Sequence, residues 1–298
     1  MNDILKSKLT IPVGGRIRAG IKILNPRIKD KEVIDLYKKG VKAKASNGAI
    51  AAEIYKRFEV KNALIPKNVP YFSVHPSDFV VSSTADQIME LYGSDGPAGY
   101  QLYKFPVVFP VDDINSIMPH NLSCFGKSGL RYWSDYSEDG TRVCRQRKAA
   151  EKGVRVFGGR PVTTRRVCDP EKCDEYQKRE CTLRGQFIFY MPEIIGSAAI
   201  ALSTTSFYSL DKAMNTLNLI AGARDGVISG VVNGKPIFWF TKKLEKVSMI
   251  DVKTGEPRQV DQYLTVLESS INVGELFVQR EMGEAKNMLM PPEEDFDG

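Results

Sequence analysis

Gly185-Gln186-Phe187-Ile188-Phe189-Tyr190-Met191 sets five large apolar or aromatic side chains in unbroken succession. A short apolar run without alternation predicts a strand covered on both faces. Downstream, Ser197 to Thr204 reads as a second strand, and Ser209 can cap a helix in which Leu210, Ala213, Met214, Leu217 and Ile220 keep three/four spacing until Gly222 or Gly226. Pro236 to Phe240 and Leu244 to Val252 read as further strands, Lys253-Thr254-Gly255-Glu256-Pro257 as a turn, and Gln262 to Ser270 as a helix.

Upstream, Tyr100 to Val111 alternates like a strand, with Pro106 and Pro110 limiting how central it can be. Thr84 and Gln87 have capping-box spacing for a helix carrying Ile88 and Leu91 and stopped by Gly93. Val69 to Val81, broken by Pro70 and Pro76, suits an edge strand or loop. Lys31 to Lys39 predicts a short helix ended by Gly40, a polar Ala/Lys/Ser stretch follows it, and Ile11 to Arg18 alternates as an entering strand. The glycine pairs Gly14-Gly15 and Gly158-Gly159 read as turn residues; neither has the lysine and hydroxyl of a phosphate-binding loop.

The pattern changes between Asn121 and Arg184. Gly, Arg, Asp and Cys dominate, and no helical or strand period persists. The expected fold is therefore α+β, with an antiparallel or mixed sheet, helices and a cysteine-rich, zinc-binding insertion. The expected divisions are an N-terminal α+β part (1–120), the insertion (121–184), a C-terminal part completing the core (185–290) and a disordered acidic tail (291–298) with Glu293, Glu294, Asp295 and Asp297 around Phe296.

The 298 residues carry a net charge of +6, with 42% hydrophobic and 26% charged residues, which excludes a disordered, collagen-like or coiled-coil chain. The longest apolar candidate, Ile194 to Leu202, is interrupted by Gly196 and Ser197 and is too short to span a membrane. Met1 to Thr10 does not read as a secretory signal, and the expected location is the cytoplasm.

Arg142 to Arg184 carries 13 Lys or Arg against 6 Asp or Glu, so the positive surplus of the chain is concentrated there. Arg142, Arg145, Arg147, Arg160, Arg165 and Arg166 are candidate contacts for phosphates, against the alternative of a merely solvated basic surface. In the same segment Cys168, Cys173 and Cys181 are separated by four and seven residues, and twenty-three residues lie between Cys144 and Cys168. Four thiolates can close a tetrahedral structural Zn2+ site and order a segment that lacks its own apolar core. Free or paired cysteines are the alternative, and Cys124 or His120 can replace one ligand.

No signature of a catalyst stands out. His75 and His120 are the two histidines and lie in no protease, phosphodiesterase or triad motif, while Asp112-Asp113 and Asp135 with Glu138-Asp139 read as solvated acids in turns. A metal-dependent hydrolase is the weakest reading.

Several segments in order, Glu90-Leu91-Tyr92-Gly93, Gly129-Leu130-Arg131-Tyr132-Trp133-Ser134, the run to Cys144, Cys168 to Cys181, Met191-Pro192-Glu193-Ile194 and Ser203 to Ser206, resemble the phage recombination directionality factors that act with large serine integrases. The resemblance implies a non-enzymatic regulator that binds a serine integrase–DNA complex and favours excision. Tyr132 and Trp133, with the basic segment, are then the expected contacts. The competing reading is a nucleic-acid-binding replication or recombination module of a mobile element, or a relative of CRISPR backbone-like RNA-binding proteins, contacting DNA or RNA.

Overall fold

The computed structural model describes residues 11–126, 129–149, 153, 160–194, 196, 198–232, 234–251, 254–270 and 274. In chain order the elements are β1 (Val13–Leu24), α1 (Lys31–Lys42), α2 (Asn47–Phe58), β2 (Leu64–Ser73), α3 (Ser83–Tyr92), β3 (Ser94–Gly96), β4 (Gly99–Gln101), β5 (Lys104–Val107), α4 (Ile114–Ile117), β6 (His120–Gly126), β7 (Gly129–Tyr136), β8 (Arg142–Arg147), β9 (Val162–Val167), α5 (Asp174–Gln177), β10 (Cys181–Phe189), β11 (Ala199–Thr204), α6 (Phe207–Ala223), β12 (Val231–Val232), β13 (Lys235–Pro236), β14 (Phe238–Ile250) and β15 (Pro257–Ser269).

Eight strands form one mixed sheet in the order β2-β1-β11-β10-β6-β7-β8-β9. β1 runs parallel to β11, with Ile17 opposite Leu202, and the other neighbours are antiparallel. A three-stranded sheet, β15-β14-β5, packs against it. Phenylalanines fill the space between them: Phe240 lies 4.9 Å from Phe187, 5.4 Å from Phe189 and 5.7 Å from Phe105, ring centre to ring centre. Phe187, Phe189 and Phe240 are fully buried and Ile188 on the opposite face is 8% exposed, so the doubly covered strand expected there is present. Beside it, Gly185 admits Leu210 of α6, because a Cβ would lie 2.5 Å from the leucine methyl.

α6 is capped by Ser206, three residues before the expected Ser209; the Ser209 hydroxyl instead accepts from Thr265 N–H. Leu210, Ala213, Leu217 and Ile220 form the buried stripe of α6 as expected. A second, smaller core joins α1 to α2 through Val33, Ile50, Ile54 and Ala63. No helix among the described residues is long and apolar enough to cross a membrane.

Several expectations change. Residues 121–184 are not an aperiodic insertion: β6 to β9 continue the main sheet, and their period is hidden because their faces carry few apolar residues. The expected helix Gln262 to Ser270 is strand up to Ser269, paired over that length with β14, which is itself one strand where two were expected. α2 occupies the polar stretch after Lys42, and α1 runs through Gly40, where Ile50 packs 2.7 Å from the place a Cβ would take. Ser82, not Thr84, precedes α3, and no side chain caps it. Gly14 and Gly15 lie within β1 and not in a turn; a Cβ on Gly15 would stand 2.1 Å from the Phe79 ring. Gly158-Gly159 and the tail after Pro291 lie outside the described residues.

Candidate functional site: the cysteine-lined end of the sheet

The main sheet extends beyond the three-stranded sheet that covers its centre. Over β6, β7 and β8 the cover is the segment between β9 and β10, which turns at Cys168 to Cys173, forms the single turn of α5 and returns at Cys181. Cys181 stands directly opposite Cys124 on β6, Cys124 opposite Tyr132 on β7, and Cys144 on β8 opposite Ser134. Directly opposed residues share a face, so these side chains look towards the covering segment.

All five cysteines of the chain line one cavity of about 20 Å³, together with Tyr132, Arg165, Arg166 and Glu175. Cys124 is fully buried and Cys144 is 9% exposed; the other three are half-buried, and none forms a disulfide. Arg165 Nη1 lies 2.7 Å and Arg166 Nη2 2.5 Å from the Glu175 carboxylate, and Arg166 Nη2 also donates to Cys173 Sγ at 3.2 Å. Arg165 further stacks 4.1 Å above the Tyr132 ring. Burial pushes the Cys181 thiol up to about 12, and of the other thiols Cys124 raises it further the most. Burial raises Cys124, Cys144 and Cys168 as well, while Arg165 and Arg166 pull Cys144 back down.

Among the described residues no three His, Cys, Asp or Glu side chains stand as a ready-made metal-ligand set. The expected ligands Cys144, Cys168, Cys173 and Cys181 thus meet in one cavity but not in a coordination shell, their thiol partners being Arg165, Arg166 and Glu175. Cys124 joins them there. His120 does not: its Nδ1 bonds the Met118 carbonyl oxygen at 2.9 Å, and its ring lines a neighbouring groove. That groove, about 830 Å³, runs between the cysteine segment and the start of α6, bounded by Tyr136, Tyr176, Arg179, Leu183, Phe207 and Met214 among others.

The expected basic contacts separate into two groups. Arg142, Arg165 and Arg166 are engaged internally, Arg142 through its Nε to the Cys168 carbonyl oxygen at 3.1 Å. Arg145 lies opposite Trp133, Arg147 opposite Val162, and Arg147 and Arg160 are exposed near the β9 edge of the sheet. Tyr132 and Trp133, adjacent on β7, point to opposite faces. Sequence reasoning missed Glu175, the carboxylate that holds two arginines; its place two residues after Cys173, downstream of the Arg165-Arg166 pair, was the available signal.

The carboxylates set aside as catalysts have structural partners. Asp112 Oδ1 accepts from Ile228 N–H at 2.8 Å and Ser229 N–H at 2.7 Å, which holds its carboxyl below the usual range. Asp113 caps α4, and Asp139 receives the Thr141 N–H within the β7–β8 turn.

Two segments far apart in sequence also meet: the Tyr92 hydroxyl at the end of α3 donates to the carbonyl oxygen of Pro192 just after β10. No curated protein and no solved structure matches the chain. One family profile does, over residues 14–266, which takes in both sheets, α6 and the cysteine-lined end. By that match the chain belongs to the Gp3-like family, described as recombination directionality factor-like.

Proposed function

We propose that this protein binds a serine integrase assembled on phage DNA and favours excision over integration, without catalysing a reaction itself. The family match over residues 14–266 carries this reading. The chemistry of the outer strands supports it: Trp133 and Arg145 share one face of β7 and β8, with Arg147 and Arg160 exposed beside them. Large aromatic and arginine side chains are the residue types that anchor protein interfaces. Binding one arrangement of the recombination complex more tightly than the other shifts the population towards it, and the ratio of the two affinities sets the size of the shift.

The test is recombination by the cognate integrase on paired excision and integration substrates, with and without the protein. An excision-to-integration ratio that rises at least tenfold is expected; an unchanged ratio with folded protein overturns the reading. Arg147→Glu with Arg160→Glu reverses two exposed charges outside both apolar clusters and is expected to lower the effect several-fold.

A second reading, direct binding of DNA or RNA, is favoured by the same exposed arginines and by Arg184 stacked 4.4 Å from the half-exposed Phe125 ring. It requires affinity for nucleic acid alone that falls steeply with salt. Salt-insensitive or absent binding by the free protein leaves the integrase as the partner.

A further inference from the structure

We propose that the cysteine cavity is a structural thiolate site for one Zn2+ ion per chain, with Cys144, Cys168, Cys173 and Cys181 as ligands and Cys124 as a packed, non-ligating thiol beside them. The first support is convergence: five cysteines from β6, β8, β10 and the segment between β9 and β10 line a space of about 20 Å³, room for a single ion or water.

The second support is what the surrounding structure lacks. From His120 to Leu183 the buried described residues are Ser123, Cys124, Val143 and Cys144, and none of these four belongs to either apolar cluster. Hydrophobic burial therefore does little to hold the Cys168–Cys181 segment on the sheet, and a cross-link through metal supplies the missing constraint. Its position suits that task, because Cys173 stands within electrostatic reach of the other four thiols.

Charge and ligand chemistry select the ion. Four thiolates around a divalent cation leave a net charge of −2, and Arg142, Arg165 and Arg166 are already placed at the cysteine segment to offset it. Sulfur ligands exclude Mg2+ and Ca2+, which take oxygen, and favour a softer tetrahedral ion such as Zn2+. Cys124 is set apart by its burial: it is fully buried on β6, beside Cys181 on the same face of the sheet, whereas Cys168, Cys173 and Cys181 are half-buried. Binding then draws that turn inward, Arg166 and Glu175 giving up their bonds to the Cys173 sulfur for the ion. Each ligating thiol loses its proton to solvent as its bond to the metal forms.

The experiment is elemental analysis of the full-length protein purified under reducing conditions, with Co2+ exchange read by absorbance. One zinc per chain and the charge-transfer and tetrahedral bands of a cobalt thiolate are expected. Cys173→Ser and Cys181→Ser should each lose most of the metal, and Cys124→Ala should keep it. Folded, reduced wild-type protein with neither zinc nor a cobalt spectrum overturns the site. Loss of metal in Cys124→Ala with full retention in Cys181→Ser overturns the ligand assignment. Should the serine variants fail to fold, thiol counting on the wild type decides: reactive thiols rise by four on adding a chelator if the site exists, and do not change if it does not.

Discussion

Lys242→Met probes the joint between the two sheets. Lys242 Nζ donates to the carbonyl oxygens of Ala19 at 2.7 Å and Tyr263 at 3.1 Å and lies 5.9 Å from the Phe72 ring centre. Ala19 sits at the irregularity in the β1–β2 ladder between Arg18 and Gly20, so the ammonium meets a carbonyl at a break in the ladder. Burial lowers the lysine from 10.5 to about 8. Because the folded value is the lower one, the unfolded chain binds the extra proton between about pH 8 and 10.5, and stability rises with pH through that window. At about 1.36 kcal/mol per pH unit the whole drop corresponds to about 3 kcal/mol. Solvent on the exposed part of the side chain reduces this to about 2 kcal/mol.

Contributions from other titrating groups cancel when wild type is compared with the variant. Urea unfolding under reducing conditions, repeated from neutral pH to about 10.5, gives that comparison. The wild type should gain about 2 kcal/mol relative to Lys242→Met across the window. A difference constant to within about 0.5 kcal/mol would refute the placement of a desolvated ammonium at the joint.

Phe240→Ala removes the ring that touches Phe105, Phe187 and Phe189 and should cost about 3–5 kcal/mol in chemical denaturation; a loss under about 1 kcal/mol would mean the two sheets are not packed through it. Gly15→Val forces side-chain atoms into Phe79 and should lower stability by about 1–3 kcal/mol or more, while Gly99→Val, where a Cβ meets nothing but φ is +79°, should suffer from backbone strain alone; thermal melts of both separate crowding from strain. Glu175→Ala releases Arg165 and Arg166, so amide exchange should accelerate in 162–180 and stay unchanged in β10, β11 and α6. Equal exchange in both regions would show that the ion pairs do not hold the cysteine segment.

Parts of this architecture announce themselves in the sequence because one physical signal dominates them. α6 has a single apolar stripe at three/four spacing, and β10 has a run that only double coverage explains. β15 misleads because Leu264 and Leu267 are both buried and three residues apart, which mimics a helix. Leu267 enters the phenylalanine core, while α6 lies along the free edge of the strand, where Ser209 accepts from Thr265 N–H and Thr216 reaches the Leu267 carbonyl. β7 to β9 escape notice for the opposite reason: Val143 and Cys144 are their buried residues, and pairing rather than burial defines them. The four-cysteine grouping is legible from spacing, whereas the participation of Cys124 depends on the antiparallel register with Cys181, which no local pattern encodes.

The parallel contact between β1 and β11 also fixes an order of events on the ribosome. β1 is made first, but its inner neighbour is β11, which follows nine intervening strands of the chain. At about 5–20 residues per second the nascent β1 waits on the order of ten seconds or more for that neighbour to emerge. In the meantime it can pair on its other side with β2, made soon after it, leaving one strand edge open to other chains. Yield of this protein from cells should therefore depend on translation speed and on chaperones that shield strand edges, even where the finished fold is stable.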